Sequence, residues 1–340
     1  MKTSLLILFF LTQTALGLVY TGGVDHATAP TDDPGWNNVG IIGPGSGIYL
    51  GDGWVISPYH VYRPYIDLDQ TYYEIPGTSH RIKYNDSINT DLIMFRINGN
   101  PNLPLIEIYD TTPVSDEVTI IATGRSRYGD LVQFDDDRYQ GYNTTSSRAK
   151  RWGRNITGLY TFSTSSVFGR TSSFMTSFDL PGLGDDECQL VNNDSGVGVF
   201  IKYGESWELA GLALAVGGPY SYSGNITTAP VYGSYTKYAD MATYKSQIDI
   251  IRSIPLEGDA DWDGDVDADD FDVLLSTFGS VDNLKADFNN DNKVDLKDFT
   301  ILRTNFGMIS GNGIVHSPEP STILMLFVFS PLLYKKRKRK

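Results

Sequence analysis

The chain has 340 residues, with 27 Lys+Arg against 41 Asp+Glu and a formal charge of −14. Its 41% hydrophobic and 12% aromatic content argues for a packed core and against global disorder, and the acidic balance argues against a nucleic-acid binder, which needs a basic face. The single cysteine, Cys188, excludes an internal disulfide.

In chain order, Met1-Lys2 precedes the apolar run Leu5 to Leu11 and the small-residue end Ala15-Leu16-Gly17. That order is expected of a secretory signal peptide over 1–17, cleaved after Gly17. Residues 18–252 carry short apolar runs such as Gly47 to Leu50, Trp54 to Ser57, Leu92 to Ile97, Val118 to Ala122 and Leu209 to Leu214. Gly, Asn, Pro and Asp break them, so short strands of an all-β sandwich or barrel are expected. Tyr238 to Arg252 predicts a helix that closes this domain, and 253–258 reads as a linker. Residues 259–307 change composition to 13 Asp, no Glu and 4 Lys+Arg, and they repeat internally. A second linker, 308–317, leads to Pro318-Glu319-Pro320, an apolar stretch from Ser321 to Tyr334 and six basic residues, Lys335 to Lys340. The apolar stretch is short against the roughly 20 residues of a membrane-spanning helix, and the basic end favours a cytoplasmic side.

The acidic repeat aligns Asp259 to Asp270 with Asp287 to Asp298, an offset of 28. Both copies put side-chain oxygens at loop positions 1, 3, 5, 9 and 12. Ca²⁺ takes six to eight oxygens, and this spacing wraps a 12-residue loop around it. Gly264 stands at the sharp turn of position 6, and Asn292, which tolerates the left-handed region, stands there in the second loop. Apolar positions Phe271, Leu274, Leu275 and Phe278, then Phe299, Leu302 and Phe306, line one face of a helix after each loop, and Gly279 and Gly307 end them. Two such loop–helix units resemble the type I dockerins over 259–307. The resemblance implies two Ca²⁺ ions. Their side-chain or water-mediated ligands would be Asp259, Asp261, Asp263, Asp267 and Asp270, then Asp287, Asn289, Asp291, Asp295 and Asp298. Asp265 and Lys293 at position 7 would offer backbone carbonyls. It also implies a cohesin-like partner, although Ala268-Asp269 and Leu296-Lys297 replace the family's usual Ser/Thr recognition pair. So small a unit is expected to fold only with its metal. The tail from Pro318 onward resembles the PEP-CTERM sorting signal, which implies a bacterial exported protein processed by an exosortase.

Three segments of the large domain carry residue types suited to acyl transfer. Gly53 to Pro58 leads to His60, Asp91 enters the run Leu92 to Ile97, and Asn193-Asp194-Ser195-Gly196 forms a turn before Val197 to Phe200. A serine hydroxyl becomes a nucleophile when an imidazole takes its proton, and a carboxylate fixes that imidazole's tautomer. In the order His, Asp, Ser these segments resemble the trypsin-like serine proteases, and Tyr235-Thr236-Lys237-Tyr238 resembles that family's approach to its last helix. The resemblance implies a mainly β fold, a double six-stranded antiparallel β-barrel, beside the small α-helical dockerin-like unit. It implies His60 as general base, Asp91 as its orienting carboxylate and Ser195 as nucleophile. Oxyanion donors would be the N–H groups of Asn193 and Ser195, and Gln189 would stand at the base of the specificity pocket. In processed family members the carboxylate at Asp194 pairs with a new α-amine. Here Gly22-Gly23 are displaced from the family's register, and no such activation is expected. Without a carboxylate at position 189, trypsin-type preference for Lys or Arg is not expected.

These features lead to an exported serine endopeptidase that acts on a protein or peptide and is attached to a partner or surface through its calcium unit. It would be secreted or held at the cell surface, with transient membrane anchoring through its C-terminal segment. The alternative is an inactive trypsin-like barrel that serves as a surface binding or matrix protein.

Overall fold

The structure is a computed structural model that describes residues 18–22, 26–134, 138–180, 182–219 and 230–309. The signal-peptide reading of 1–17 and the sorting tail at 318–340 lie outside the described residues. After β1 (Val19–Tyr20) come β2 (Val39–Ile42), β3 (Gly45–Gly51), β4 (Trp54–Pro58), β5 (Tyr65–Asp67), β6 (Thr71–Tyr73), β7 (His80–Asn85) and β8 (Ile88–Arg96). Next are β9 (Glu107–Ile108), β10 (Glu117–Ala122), β11 (Arg125–Phe134), β12 (Tyr139–Arg148), β13 (Arg151–Ile156), β14 (Phe162–Ser166) and β15 (Gly169–Ser177). The remainder is β16 (Cys188–Gln189), β17 (Gly198–Tyr203), β18 (Ser206–Gly217), β19 (Tyr235–Asp240), α1 (Met241–Arg252), α2 (Ala268–Thr277) and α3 (Leu296–Asn305).

The first sheet has seven strands in the order β6-β5-β2-β3-β4-β8-β7, and the second has eight, β13-β10-β17-β18-β19-β15-β14 with β9 beside β18. The fold is thus mainly β as expected, but neither sheet has six strands. The short β5–β6 hairpin extends the first sheet, while β14 and β9 extend the second. The apolar runs read from the sequence are continuous because both faces of these strands are buried. On β4 and β8, Trp54, Ile56, Leu92 and Met94 face one core, while Val55 and Phe95 face another. The first of these cores also takes Ile121, Phe200, Leu209 and Leu212 from the second sheet and Met241, Tyr244 and Ile248 from α1. It therefore welds the two sheets face to face. The expected helix starts at Met241 rather than Tyr238, because Tyr238 and Ala239 still pair with Phe174 and Leu212 in the sheet.

The C-terminal unit has an approximate two-fold repeat in its hydrogen bonds. Asp259 accepts from the N–H groups of Trp262 and Gly264, and Asp287 accepts from those of Asp291 and Asn292. Asp267 and Asp295 cap α2 and α3, and Asp270 and Asp298 complete both capping boxes. The position-8 residues Val266 and Val294 each bond the stretch after the other helix, at Gly307–Met308 and Gly279–Ser280. Phe271 and Phe299 meet with ring centroids 5.9 Å apart.

Ser253–Gly258 is no free linker, since Leu256 is buried in the core of this unit. Ile75 of the first sheet's β6–β7 connection belongs to the same core. The Gly99 N–H donates to the Ile309 carbonyl at 2.9 Å, and the Ile309 N–H donates to Asn98 Oδ1 at 3.3 Å. The unit is thereby seated on the first sheet. No helix among the described residues is long and apolar enough to cross a membrane.

Candidate active site

The strand β4 ends at Pro58 and runs into a single 3₁₀ turn, Tyr59–Val61, that carries His60. Antiparallel pairing sets Pro58 opposite Leu92, so Asp91 stands one residue beyond, beside the turn. Asp91 is 6% exposed. Its Oδ1 accepts the His60 backbone N–H at 3.0 Å and its Oδ2 faces His60 Nδ1 at 2.7 Å. A carboxylate only accepts, so this contact assigns the proton to Nδ1 and leaves Nε2 with its lone pair. The Asp91 N–H donates in turn to Thr171 Oγ1 on β15 at 2.9 Å, which ties the pair to the second sheet.

Ser195 lies in a tight turn before β17. The Asp194 N–H donates to the Val191 carbonyl at 3.1 Å, the Val191 N–H to Asp194 Oδ2 at 2.8 Å, and the Val197 N–H to the Asp194 carbonyl at 3.3 Å. Asn193 takes a φ of +78° and Gly196 one of +88°. At Gly196 a Cβ would overlap the Ser46 carbonyl oxygen, so this position accepts glycine alone. The turn is docked on the first sheet by the Ser46 N–H, which donates to the Ser195 carbonyl at 2.8 Å, and Gly45 lies between that carbonyl and Val61. Ser195 is therefore brought next to the residue that follows His60. The Ser195 hydroxyl itself makes no hydrogen bond to His60 or to any other described residue. Among the described residues, neither the Asn193 nor the Ser195 N–H has a protein acceptor, which leaves both donors for a ligand.

A cavity of about 210 Å³ opens beside Ser195. Its walls include Leu190, Asn192, Ala213, Leu214, Ala215 and Val216. Gln189 lies behind these walls at 2% exposure, with its Nε2 donating to the Leu190 carbonyl and to Thr236 Oγ1, both at 3.0 Å. Its backbone pairs with Val19 of β1 and its side chain is held by Thr236 of β19, so it is buried behind the cavity rather than on its surface.

Arg148 was not singled out in the sequence, yet it clamps the two sheets. Its guanidinium donates to the carbonyls of Gly43, Gly45 and Thr123 at 3.0, 2.8 and 3.0 Å. It also supplies positive charge near Asp194. Burial pushes the Asp194 carboxyl up to about 7, against the downward pull of the Val191 N–H and the Arg148 charge. A carboxyl raised in the folded state contributes stability that is complete below its unfolded value near 4 and is lost as pH rises through about 7. Asp194→Asn should therefore gain stability relative to the parent full-length chain as pH increases. Thermal unfolding of both at pH 4, 6 and 8 checks this, with midpoints nearly equal at pH 4 and a gap of several degrees favouring the variant at pH 8. The same comparison on chains that begin at Leu18 reads whether a new α-amine reaches Asp194, because the sign at pH 8 then reverses.

The other described histidines have structural surroundings. His26 stacks between Tyr20 and Trp152 at centroid distances of 4.6 and 4.2 Å, and burial lowers the pKa of His80 beside Trp54.

The carboxylates of the acidic repeat also gather. Ligand atoms of Asp259, Asp261 and Asp263 lie within 4.8 Å of one another, as do those of Asp265, Asp267 and Asp270. Burial raises the carboxyls of Asp259 and Asp261, and raises that of Asp270 to about 7. In the second loop Asn289 and Asp298 are joined through the Asn289 N–H, while Lys293 pairs with Asp295 and Lys297 with Asp291. The hard-oxygen set of the first loop fits a divalent cation. In the second loop Asn289 stands in place of a carboxylate, and two ammonium groups already sit on Asp295 and Asp291.

No protein-family model and no curated protein sequence matches the chain. Among solved structures it is similar to the NS6 protease from murine norovirus 1, at 14% identity and a TM-score of 0.36, over 63% of this chain and 94% of that one. It is also similar to an inactive mutant of the Murine Norovirus NS6 protease with a C-terminal extension, at 15% identity and a TM-score of 0.35, over 60% of this chain and 92% of that one.

Proposed function

We propose that the chain is an exported serine endopeptidase. The observation that carries this reading is the oriented imidazole of His60, with Nδ1–H on Asp91 and Nε2 left as a base, next to a serine turn with two unengaged backbone donors. In the reaction the Ser195 hydroxyl gives its proton to His60 Nε2 while Oγ bonds to the substrate carbonyl carbon. The negative charge on the former carbonyl oxygen is met by the N–H groups of Asn193 and Ser195. The His60 imidazolium then protonates the leaving amine as the C–N bond breaks, and a water molecule repeats the sequence to release the acid. The Ser195 hydroxyl would meet Nε2 in the substrate complex, since catalytic hydrogen bonds often close only around substrate. The cavity walled by Leu190 and Ala213–Val216 would receive a small or medium apolar side chain. Beyond Leu212, where β17 pairing ends, Leu214–Val216 keep one strand edge open for an extended peptide.

The acidic unit is read as two calcium loops. Asp259, Asp261, Asp263, Asp267 and Asp270 would hold one ion, Asp287, Asn289, Asp291, Asp295 and Asp298 the other, and bound calcium would neutralise carboxylates that burial now disfavours. A cohesin-like protein is the proposed partner of this unit. Export and exosortase processing are proposed from the terminal segments of the sequence.

Labelling of the wild-type chain by a fluorophosphonate tests the peptidase reading. Stoichiometric modification at Ser195 is the expected result. A chain that binds peptide but never labels is the inactive barrel of the alternative reading.

A further inference from the structure

At the foot of the acidic unit lies a charge that neither the proton relay nor the oxygen ligands use. Strand β8, which carries Asp91, ends at Arg96, and Arg96 is only 8% exposed. Its backbone is fixed on three sides. It pairs with Trp54, its N–H donates to Thr78 Oγ1 at 3.0 Å, and its carbonyl accepts the Ile75 N–H at 2.8 Å. The guanidinium lies 4.9 Å from the centre of the Trp54 ring. Its Nε and Nη1 are buried with no hydrogen-bond partner among the described residues. A buried cation in that state is costly unless an opposite charge answers it. Burial lowers the Arg96 pKa, and the carboxylates of Asp259 and then Asp52 pull it back up. Asp259 is position 1 of the first acidic loop, across the seat from β8. The backbone joins the same two parts. Ile75, bonded to Arg96, shares the unit's core with Leu256 and with Ala260, which follows Asp259. Asp265, at position 7 of the loop, bridges Ile309, whose carbonyl accepts the Gly99 N–H just beyond the end of β8.

We propose that Arg96 is the built-in counter-cation of the first acidic loop, which competes with calcium for Asp259 and so couples calcium occupancy to the seating of the unit on the first sheet. The inference rests on the calcium reading of that loop. A guanidinium has donors only, so Arg96 is no ligand and acts through its charge. A divalent ion held by Asp259 would stand near a like charge, and the attraction between loop and sheet would weaken as the ion bound. Such coupling is reciprocal: the loop seated over Arg96 would hold calcium less tightly than the same loop without that charge. Free calcium would then set how firmly the unit is pressed onto β8, while Ile75 and the Gly99–Ile309 bond keep it attached. Arg96 sets an affinity in this reading and takes no part in peptide hydrolysis.

The experiment titrates the chelated full chain with calcium by calorimetry and with terbium, a calcium-sized probe, by luminescence. Trp262 stands inside the first loop between Asp261 and Asp263, so terbium excited through its indole reports that loop. Arg96→Met keeps an apolar stem over Trp54 and removes the charge. It should tighten calcium at the first loop about tenfold, within the range that couplings between sites span. The second loop should be unchanged. Calcium should also raise the thermal midpoint of Arg96→Met by more than that of the parent, because tighter binding to the folded state stabilises it further. Arg96→Lys, which keeps the charge, should bind as the parent does, whereas a merely structural role would move both variants alike. Circular dichroism of the chelated chains checks that each variant folds, and Arg96→Gln carries the same expectation if Arg96→Met does not. First-loop affinity that is unchanged or weakened in the neutral variants overturns the proposal, as does a shift shared by Arg96→Lys. A parent that binds two ions without responding to the charge at position 96 removes the coupling alone. A parent that binds neither calcium nor terbium removes the calcium reading and the coupling with it.

Discussion

Ser195→Ala will abolish fluorophosphonate labelling and lower peptide hydrolysis by roughly a million-fold, the scale on which loss of a triad nucleophile acts. The geometry explains why so much depends on one oxygen. Asp91 spends both carboxylate oxygens on His60, one on the backbone N–H and one on Nδ1, so the imidazole has a single orientation and a single free nitrogen. The only described nucleophilic side chain in a turn with unengaged N–H groups beside that imidazole is Ser195. Asp91→Asn, measured in the same assay, should cost about 10⁴-fold, because an amide placed against Nδ1 favours the wrong tautomer. The labelled residue, identified by peptide mass mapping, decides whether the effect is chemical. A variant that still labels at Ser195 after Asp91→Asn, only slowly, is the expected pattern. Equal labelling of wild type and Ser195→Ala would exclude this site.

Calcium removal carries the second large effect. In the full chain, a chelator should lower the thermal midpoint of the acidic unit by on the order of 10 °C and reduce the helical circular dichroism of α2 and α3. The cause is electrostatic. The first loop gathers Asp259, Asp261 and Asp263 in one group and Asp265, Asp267 and Asp270 in another, and burial already disfavours ionisation of Asp259, Asp261 and Asp270. In the proposed calcium reading a divalent cation would convert that repulsion into coordination, and the fold and the ion would depend on one another. Because Lys293 and Lys297 already pair with Asp295 and Asp291, the first loop should bind the more tightly. Calorimetric titration of the chelated chain should resolve two affinities. A midpoint that does not respond to chelator or calcium would remove the calcium reading and leave the peptidase site untouched.

Much of this molecule is legible along the chain, for a physical reason. Strands buried on both faces give continuous apolar runs, so Trp54 to Ser57 and Leu92 to Ile97 mark β4 and β8 directly. The offset of 28 marks two loops and two helices, because each copy must place the same oxygens and the same apolar face. His60 and Asp91 could be paired from their order, and the structure brings them together. What stayed hidden depends on contacts between distant segments. Arg148 reads as one more surface cation until it is found bonding Gly43 and Gly45, more than 100 residues away. Val167-Phe168 resembles an ordinary apolar fragment until β15 carries it to His60. Gln189 can be counted six residues before Ser195, but counting does not reveal that Thr236 and Val19 draw it into the core. The strand number also escaped, because two-residue β9 and three-residue β5 and β6 are too short to give a periodic signal.

The seat of the acidic unit on Ile75, Asn98 and Gly99 has a bearing on how the protein would work at a surface. A protease on a slack leash samples every orientation and cuts whatever drifts past. With a hydrophobic anchor and two hydrogen bonds, the proposed attachment would act as a bracket instead: a partner that gripped the acidic end would also aim the cleft, so substrates would be chosen by where they lie as much as by their sequence.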